Sequence, residues 1–166
     1  MRAYAGFPDR LAHFEMRLPV GVALLLLSAP AVGSSAFAQA ASRPAVDTTI
    51  TVRASSSTLE FDPPAIAAKQ GSRVRIRFMN AGTLPHNFVL VRNENDIDEM
   101  AAAAMKQGGD YIPAALKGKM IAFTTLASPG QTLEVTFVMP ARGSYTYVCL
   151  MSGHANSMTG TLRSLR

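Results

Sequence analysis

Toward its C-terminal end the chain reads Cys149-Leu-Met-Ser-Gly-His154-Ala-Asn-Ser-Met158, so a thiol, an imidazole and a thioether stand in one short run. A loop of this length can turn back on itself and bring the three donors to one point. A second imidazole is available at His86, in Pro85-His86-Asn87. Two His, one Cys and one Met make a trigonal donor set with a weak axial thioether, which suits a copper ion passing one electron at a time. Soft sulfur stabilises Cu(I), and imidazole accommodates both oxidation states. Each residue also has an ordinary use. A lone Cys is commonly a small buried hydrophobe, His86 a turn residue, His154 a loop residue, and Met158 core filler among nine methionines. Those uses leave the coincidence unexplained. Cys149 is the one cysteine of the chain, and from Gln39 onward His86 and His154 are the two histidines. The expected metal ligands are therefore His86, Cys149, His154 and Met158.

To bring His86 to that loop the chain needs strands. Thr48–Arg53 alternates and is rich in β-branched residues, and Thr58–Phe61 reads as a second strand closed by Asp62-Pro63-Pro64. In Arg73–Met79, Val74, Ile76 and Phe78 alternate with three arginines, and Asn80-Ala81-Gly82 breaks the run. His86–Val91 is a continuous apolar strand, which implies burial on both of its faces. Lys119–Leu126, Thr132–Val138, Ser144–Cys149 and Thr159–Ser164 complete the set. One segment has helical spacing: Ile97, Met100, Ala101, Ala104 and Met105 share a face. Asp96 and Glu99 resemble a capping box at its start, and Gly108-Gly109 stops it. The expected fold is all-β, a Greek-key β-sandwich of seven to eight strands with one short inserted helix.

The N-terminal part has a different character. Arg2, Arg10 and Arg17 precede an apolar run from Leu18 to Val32, and Ala36-Phe37-Ala38 fits a cleavage site. We expect residues 1–38 to be a secretory signal, with Met16 an alternative start, residues 39–47 a short linker, and 48–166 one domain. An uncleaved membrane anchor is the alternative, since no charge occurs from Leu18 to Ser42. Pro19, Pro30 and Gly33 weaken that reading. No cysteine stands at the cleavage region, which argues against a lipid-anchored form. The expected location is exported and periplasmic, or membrane-tethered if the segment stays. A single cysteine in an oxidising compartment has no pairing partner within the chain, which again points to a bound metal. From Gln39 onward 13 Lys and Arg stand against 9 Asp and Glu, a net of about +4 with no basic block, so nucleic acid is excluded as a partner.

These residues resemble the cupredoxins, and within them the azurin and auracyanin branch of blue-copper proteins. The resemblance rests on Phe61-x-Pro63, Gly71-x-x-Val74, Asn80-x-Gly82-x-x-Pro85-His86-Asn87 and the helical insertion before Tyr111-Ile-Pro113. Pro129-Gly130, Gly143-x-Tyr145-x-Tyr147-x-Cys149 and Gly153-His154-x-x-x-Met158-x-Gly160 complete it. It implies one type 1 copper ion and the ligand set named above. It also implies that Asn87 ties the two ligand-bearing segments together and that the Met151 backbone N–H points at the Cys149 sulfur. Pro85 stands where azurins have a glycine, and the disulfide of azurins has no counterpart here.

Electron transport between redox partners is thus the expected function, with no enzymatic activity and no small-molecule substrate. The partners would dock transiently near His154, on a collar of Leu84, Pro85, Met151 and Ala155, and the protein would be a monomer. The alternative is an exported copper chaperone or storage protein. Its open, Met-rich sites are absent from the pattern, since Met79, Met100, Met105, Met120 and Met139 are scattered. A multicopper enzyme would need further histidines.

Overall fold

The computed structural model describes residues 45–166. The expected signal at 1–38 and most of the linker lie outside the described residues. Strands β1 (Thr48–Ala54), β2 (Phe61–Asp62), β3 (Ala65–Lys69), β4 (Arg73–Asn80), β5 (Val89–Val91), β6 (Met120–Phe123), β7 (Thr132–Val138), β8 (Gly143–Val148) and β9 (Thr159–Leu165) make two sheets. One has the order β2-β1-β4-β7 and the other β3-β9-β8-β5-β6. β1 lies parallel to β4 and β3 parallel to β9, while the remaining pairs are antiparallel. This is the expected β-sandwich, with nine strands among the described residues rather than seven or eight.

The inward residues of the two sheets meet in one core. In β4, Val74, Ile76 and Phe78 are fully buried while the arginines between them face outward. An aromatic cluster lies at the centre: Phe61 and Phe88 pack against Tyr147 with ring centroids 5.0 and 5.1 Å away. Burying such a ring is worth about 2 kcal/mol. The Tyr147 hydroxyl donates to the Pro63 carbonyl at 2.8 Å, which satisfies the one polar atom of the cluster. Opposite Tyr147 in the ladder stands Gly160. A Cβ there would lie 2.2 Å from the Tyr147 ring, so only glycine fits. Tyr147 comes two residues before Cys149 and Gly160 two after Met158, so this close pair braces both ends of the expected ligand loop.

A second cluster covers the outer face of the five-stranded sheet. Val89, Val91, Val148 and Leu150 pack there with Met100 and Ala104 of helix α1 (Ile97–Gln107). Leu90 and Tyr147 point the other way, into the central core. β5 is therefore buried on both faces, as its unbroken apolar sequence implies. Gly108, at φ +65°, ends α1. The start differs from expectation: Asp96 makes no side-chain cap bond to the helix. Its carboxylate and that of Glu99 both accept from Lys119, which ties the helix to the start of β6. Asn93 instead caps the preceding 3₁₀ turn, Glu94–Asp96.

Four strand expectations change, one of them only in length: Lys119–Leu126 is a strand at Met120–Phe123. Thr58–Glu60 is a bend, and only Phe61–Asp62 pairs with β1. Ala65–Lys69, a strand not anticipated, pairs along its whole length with β9. The apolar run from His86 pairs as a strand only from Val89 onward. Among the described residues no helix is long and apolar enough to cross a membrane.

Candidate metal centre

Cys149 follows directly on β8 and is fully buried. The loop after it closes through its own backbone. His154 N–H donates to Met151 O at 2.9 Å, Met158 N–H to His154 O at 2.8 Å, and Cys149 N–H to Met158 O at 3.1 Å. Gly153, at φ +82°, supplies the left-handed step ahead of His154. Met158 is completely buried in the central core with Cys149.

His86 arrives from elsewhere. It forms an isolated bridge with Ala127, its N–H donating to Ala127 O at 3.1 Å and its carbonyl accepting from Ala127 N–H at 2.7 Å. Asn80, buried at the end of β4, shapes the turn that leads there. Its Nδ2 donates to Leu84 O at 2.7 Å and to Ala127 O at 2.8 Å, and its Oδ1 accepts from Gly82 N–H at 2.9 Å. From sequence Asn80 stands as a strand breaker and as part of the Asn80-x-Gly82-x-x-Pro85-His86-Asn87 pattern, with no role assigned to its side chain. The available signal was an Asn placed two residues before a turn glycine, a spacing that favours this side-chain bond.

The two segments meet. The sulfur of Cys149 lies 3.6 Å from Nδ1 of His154 and 3.8 Å from Nδ1 of His86. The two imidazole rings are 4.9 Å apart, centroid to centroid. Asn87 links the segments as the resemblance implies, its Oδ1 accepting from Leu150 N–H at 2.8 Å. Its Nδ2 donates to Asp110 O at 3.2 Å. The backbone amides of Asn87 and Met151 act to lower the Cys149 thiol, in keeping with the role expected of Met151.

Electrostatics suit these groups to a cation. Burial, followed by repulsion from His154, pushes His86 down to about 4. Burial likewise lowers His154. Both imidazoles are thus neutral, with lone pairs free to bind. Burial raises the Cys149 thiol, while the Asn87 and Met151 amides oppose it. A metal cation offers the missing counter-charge for the thiolate. Metal–nitrogen and metal–sulfur bonds of about 2.0 and 2.3 Å at trigonal angles put S and N about 3.7 Å apart, which matches both observed separations. The donor set and spacing fit a single type 1 copper ion.

Comparison with known proteins agrees. The sequence profile of copper binding proteins of the plastocyanin/azurin family matches residues 48–163. Auracyanin-A of Chloroflexus aurantiacus is 36% identical over 118 residues, which cover 69% of this chain and 72% of that protein. Auracyanin-B of the same organism is 32% identical over 119 residues, covering 69% of this chain and 51% of that longer protein. The solved structure of auracyanin A, a "blue" copper protein, superposes with a TM-score of 0.67 at 36% identity and covers 70% of this chain and 98% of that one.

Proposed function

The chain belongs to the plastocyanin/azurin family of copper-binding proteins, and on that footing we propose that it is an exported one-electron carrier whose copper ligands are His86, Cys149, His154 and Met158. Copper held there supplies a one-electron couple between Cu(II) and Cu(I). The observation that carries the reading is the convergence of three buried donors, each within 4.8 Å of the others, from segments far apart in sequence. The protein's part is to keep these donors still. Asn87 locks the Cys149 segment to the His86 segment, the Ala127 bridge holds His86, and the loop's own turns hold His154. A donor set fixed in this way accommodates either charge state with little movement, which favours transfer over release. Such burial argues against a chaperone that hands its metal on: His86 is 3% exposed, His154 5% and Cys149 not at all.

Redox partners dock, in this reading, on the apolar rim beside His154. Leu84 is exposed there and Pro85 and Met151 are half-buried, while Ala155 is turned inward. The protein acts as a monomer in the periplasm.

Loading the protein with Cu(II) tests the reading. One copper per chain and an intense thiolate charge-transfer band near about 600 nm are expected. Cys149→Ser should fold and lose that band. Met158→Leu should keep it and raise the reduction potential, and Met158→Gln should lower it. A band surviving in Cys149→Ser refutes the ligand set. Transfer of copper to an acceptor protein faster than electron exchange would favour the chaperone instead.

A further inference from the structure

Among the described residues Arg53 meets Asp62, Arg75 and Arg77 share Glu134, and Lys119 binds Asp96 and Glu99, while Arg92, Lys106 and Lys117 have no carboxylate within salt-bridge distance. Four further cations gather at one end of the sandwich. Lys69 closes β3, Arg73 opens β4, Arg142 precedes β8 and Arg163 lies near the end of β9. Among the described residues none of these four has a carboxylate within salt-bridge distance. Backbone bonds bring the ends of these strands to one pole, with Arg73 on the rim of the four-stranded sheet and Lys69 and Arg163 on the rim of the five-stranded one. Gln70 N–H donates to Leu165 O at 2.8 Å, Met139 N–H to Ser72 O at 2.8 Å, and Arg142 N–H to the Gln70 side chain at 3.2 Å. The neighbouring carboxylate, Asp47, accepts from the Arg73 backbone N–H at 2.7 Å.

Apolar side chains stand among these cations. Val138 is 57% exposed and Leu165 49%. Each is the direct cross-strand partner of a cation: Val138 of Arg73, and Leu165 of Lys69. Unpaired cations interleaved with exposed aliphatic residues match the composition of surfaces that sit in a bilayer interface.

Strand direction places this end opposite the metal centre. β9 begins just after Met158 and finishes at Leu165. Its seven residues span about 20 Å at about 3.3 Å each. A redox partner docked there would be separated from the ligands by the length of the sandwich, where electron transfer is slow. The chain also enters the domain at this end, since Asp47 N–H donates to Arg73 O at 2.9 Å. The sequence upstream of it contains the uncharged stretch from Leu18 to Ser42.

We propose that this pole, formed by Lys69, Arg73, Arg142 and Arg163 around Val138 and Leu165, docks on an anionic lipid bilayer and turns the metal centre away from the membrane. The surface shares no residue with the metal centre, so the two readings stand or fall separately.

The test is co-sedimentation of the full chain with vesicles of phosphatidylglycerol and phosphatidylcholine, against phosphatidylcholine alone. The upstream apolar stretch contributes to both vesicle types, so the readout is the excess binding to the anionic ones. A cation near an anionic surface is worth about 1 kcal/mol, roughly fivefold in partition. Lys69→Gln with Arg142→Gln should therefore lower the excess roughly 25-fold. The equally charged control Arg75→Gln with Arg77→Gln should change it less than about twofold, because Glu134 already neutralises part of that face. Lys69→Arg with Arg142→Lys should retain binding. Leu165→Ser should weaken it while leaving retention on a polyglutamate column unchanged. The proposal is overturned if both neutralised pairs lose binding equally, since net charge then suffices. It is also overturned if the pole variant keeps its excess, or if that variant loses polyglutamate retention alone, which would mark an acidic protein as the occupant.

Discussion

His154 reaches the metal centre from a loop held by bonds to itself, whereas His86 reaches it from a segment held by residues far away in the sequence. In the loop, Met151, His154, Met158 and Cys149 bond to one another through their backbones. On the other side, the bonds run from Asn80 to Ala127 and from Ala127 to His86. Closing a short loop carries a small entropic cost and needs little help from the rest of the fold. The His86 arm exists only once β4, the segment at Ala127 and the turn between them are assembled. One half of the centre is therefore a local motif, and the other half is a product of tertiary structure. Damage to the sandwich should reach the metal through His86.

The largest effect is expected at Asn80. Asn80→Ala leaves the Leu84 and Ala127 carbonyls and the Gly82 amide without their side-chain partner. The Leu84 carbonyl and the Gly82 amide are orphaned outright, while the Ala127 carbonyl keeps the His86 N–H, so the loss should be about 3 kcal/mol. Denaturant unfolding of the metal-free protein should show that loss, and the copper-loaded form should have a weakened visible band as His86 drifts. Ser157→Ala, on the loop side, removes one long bond of 3.4 Å to the His154 carbonyl and should cost less than about 0.5 kcal/mol. Similar costs for the two variants would break the distinction between the arms.

Acid offers a second way to separate them. His86 is held at about 4, against an ordinary value of 6.5, by burial and by the charge that His154 acquires. His154 is lowered by burial. Between these values the unfolded chain binds more protons than the folded one, so stability rises with pH across the interval. The contribution of His86 is complete above about pH 6.5 and is lost as pH falls toward about 4. At the acid end that loss is on the order of 3 kcal/mol. The metal-free protein should therefore unfold at lower denaturant near pH 4 than near pH 7.5. In its NMR titration His154 should take up a proton before His86, and the reverse order would show that the strand arm is not the more protected one.

What could be read from sequence follows the same division. The run from Cys149 to Met158 displays its donors in order, so the loop half of the centre was visible residue by residue. His86 was found by elimination, as the remaining histidine, and its support by Asn80 and Ala127 was not found at all. That support depends on pairing between segments 47 residues apart, for which a single sequence carries no pattern. β4 was legible because its alternation is complete, and β5 because a run buried on both faces is wholly apolar. β3 escaped because Ala65-Ile-Ala-Ala-Lys69 has one strong strand former, Ile66, and owes its conformation to pairing with β9. Thr58–Glu60 misled for the opposite reason, since a β-prone threonine there is used in a bend, its hydroxyl donating to Glu60.

Two glycines offer the finest test, one on each arm. At Gly82 a Cβ would lie 2.9 Å from the Ser55 carbonyl, 3.2 Å from Nε2 of His86 and 3.3 Å from the Asn80 side-chain oxygen. At Gly153 a Cβ would meet nothing within 4 Å, but the backbone stands at φ +82°. The first position is therefore limited by neighbours and the second by local conformation. Gly82→Ala has to push against a backbone carbonyl, a ligand ring and the side chain that holds the turn, and should cost about 2 kcal/mol. The push falls on the ligand itself, so the visible band and the potential should shift with it. Gly153→Ala puts an L-residue in the left-handed region at about 1 kcal/mol. Its loop is free to absorb that strain at exposed Ser152, so the band should be nearly unchanged. Gly153→Asn should recover most of the loss, because Asn tolerates this conformation, whereas Gly82→Asn should be worse than Gly82→Ala. A Gly153→Ala protein with a displaced band and normal stability would mean that the loop transmits strain to the metal more readily than the strand arm does, and the comparison would have to be inverted.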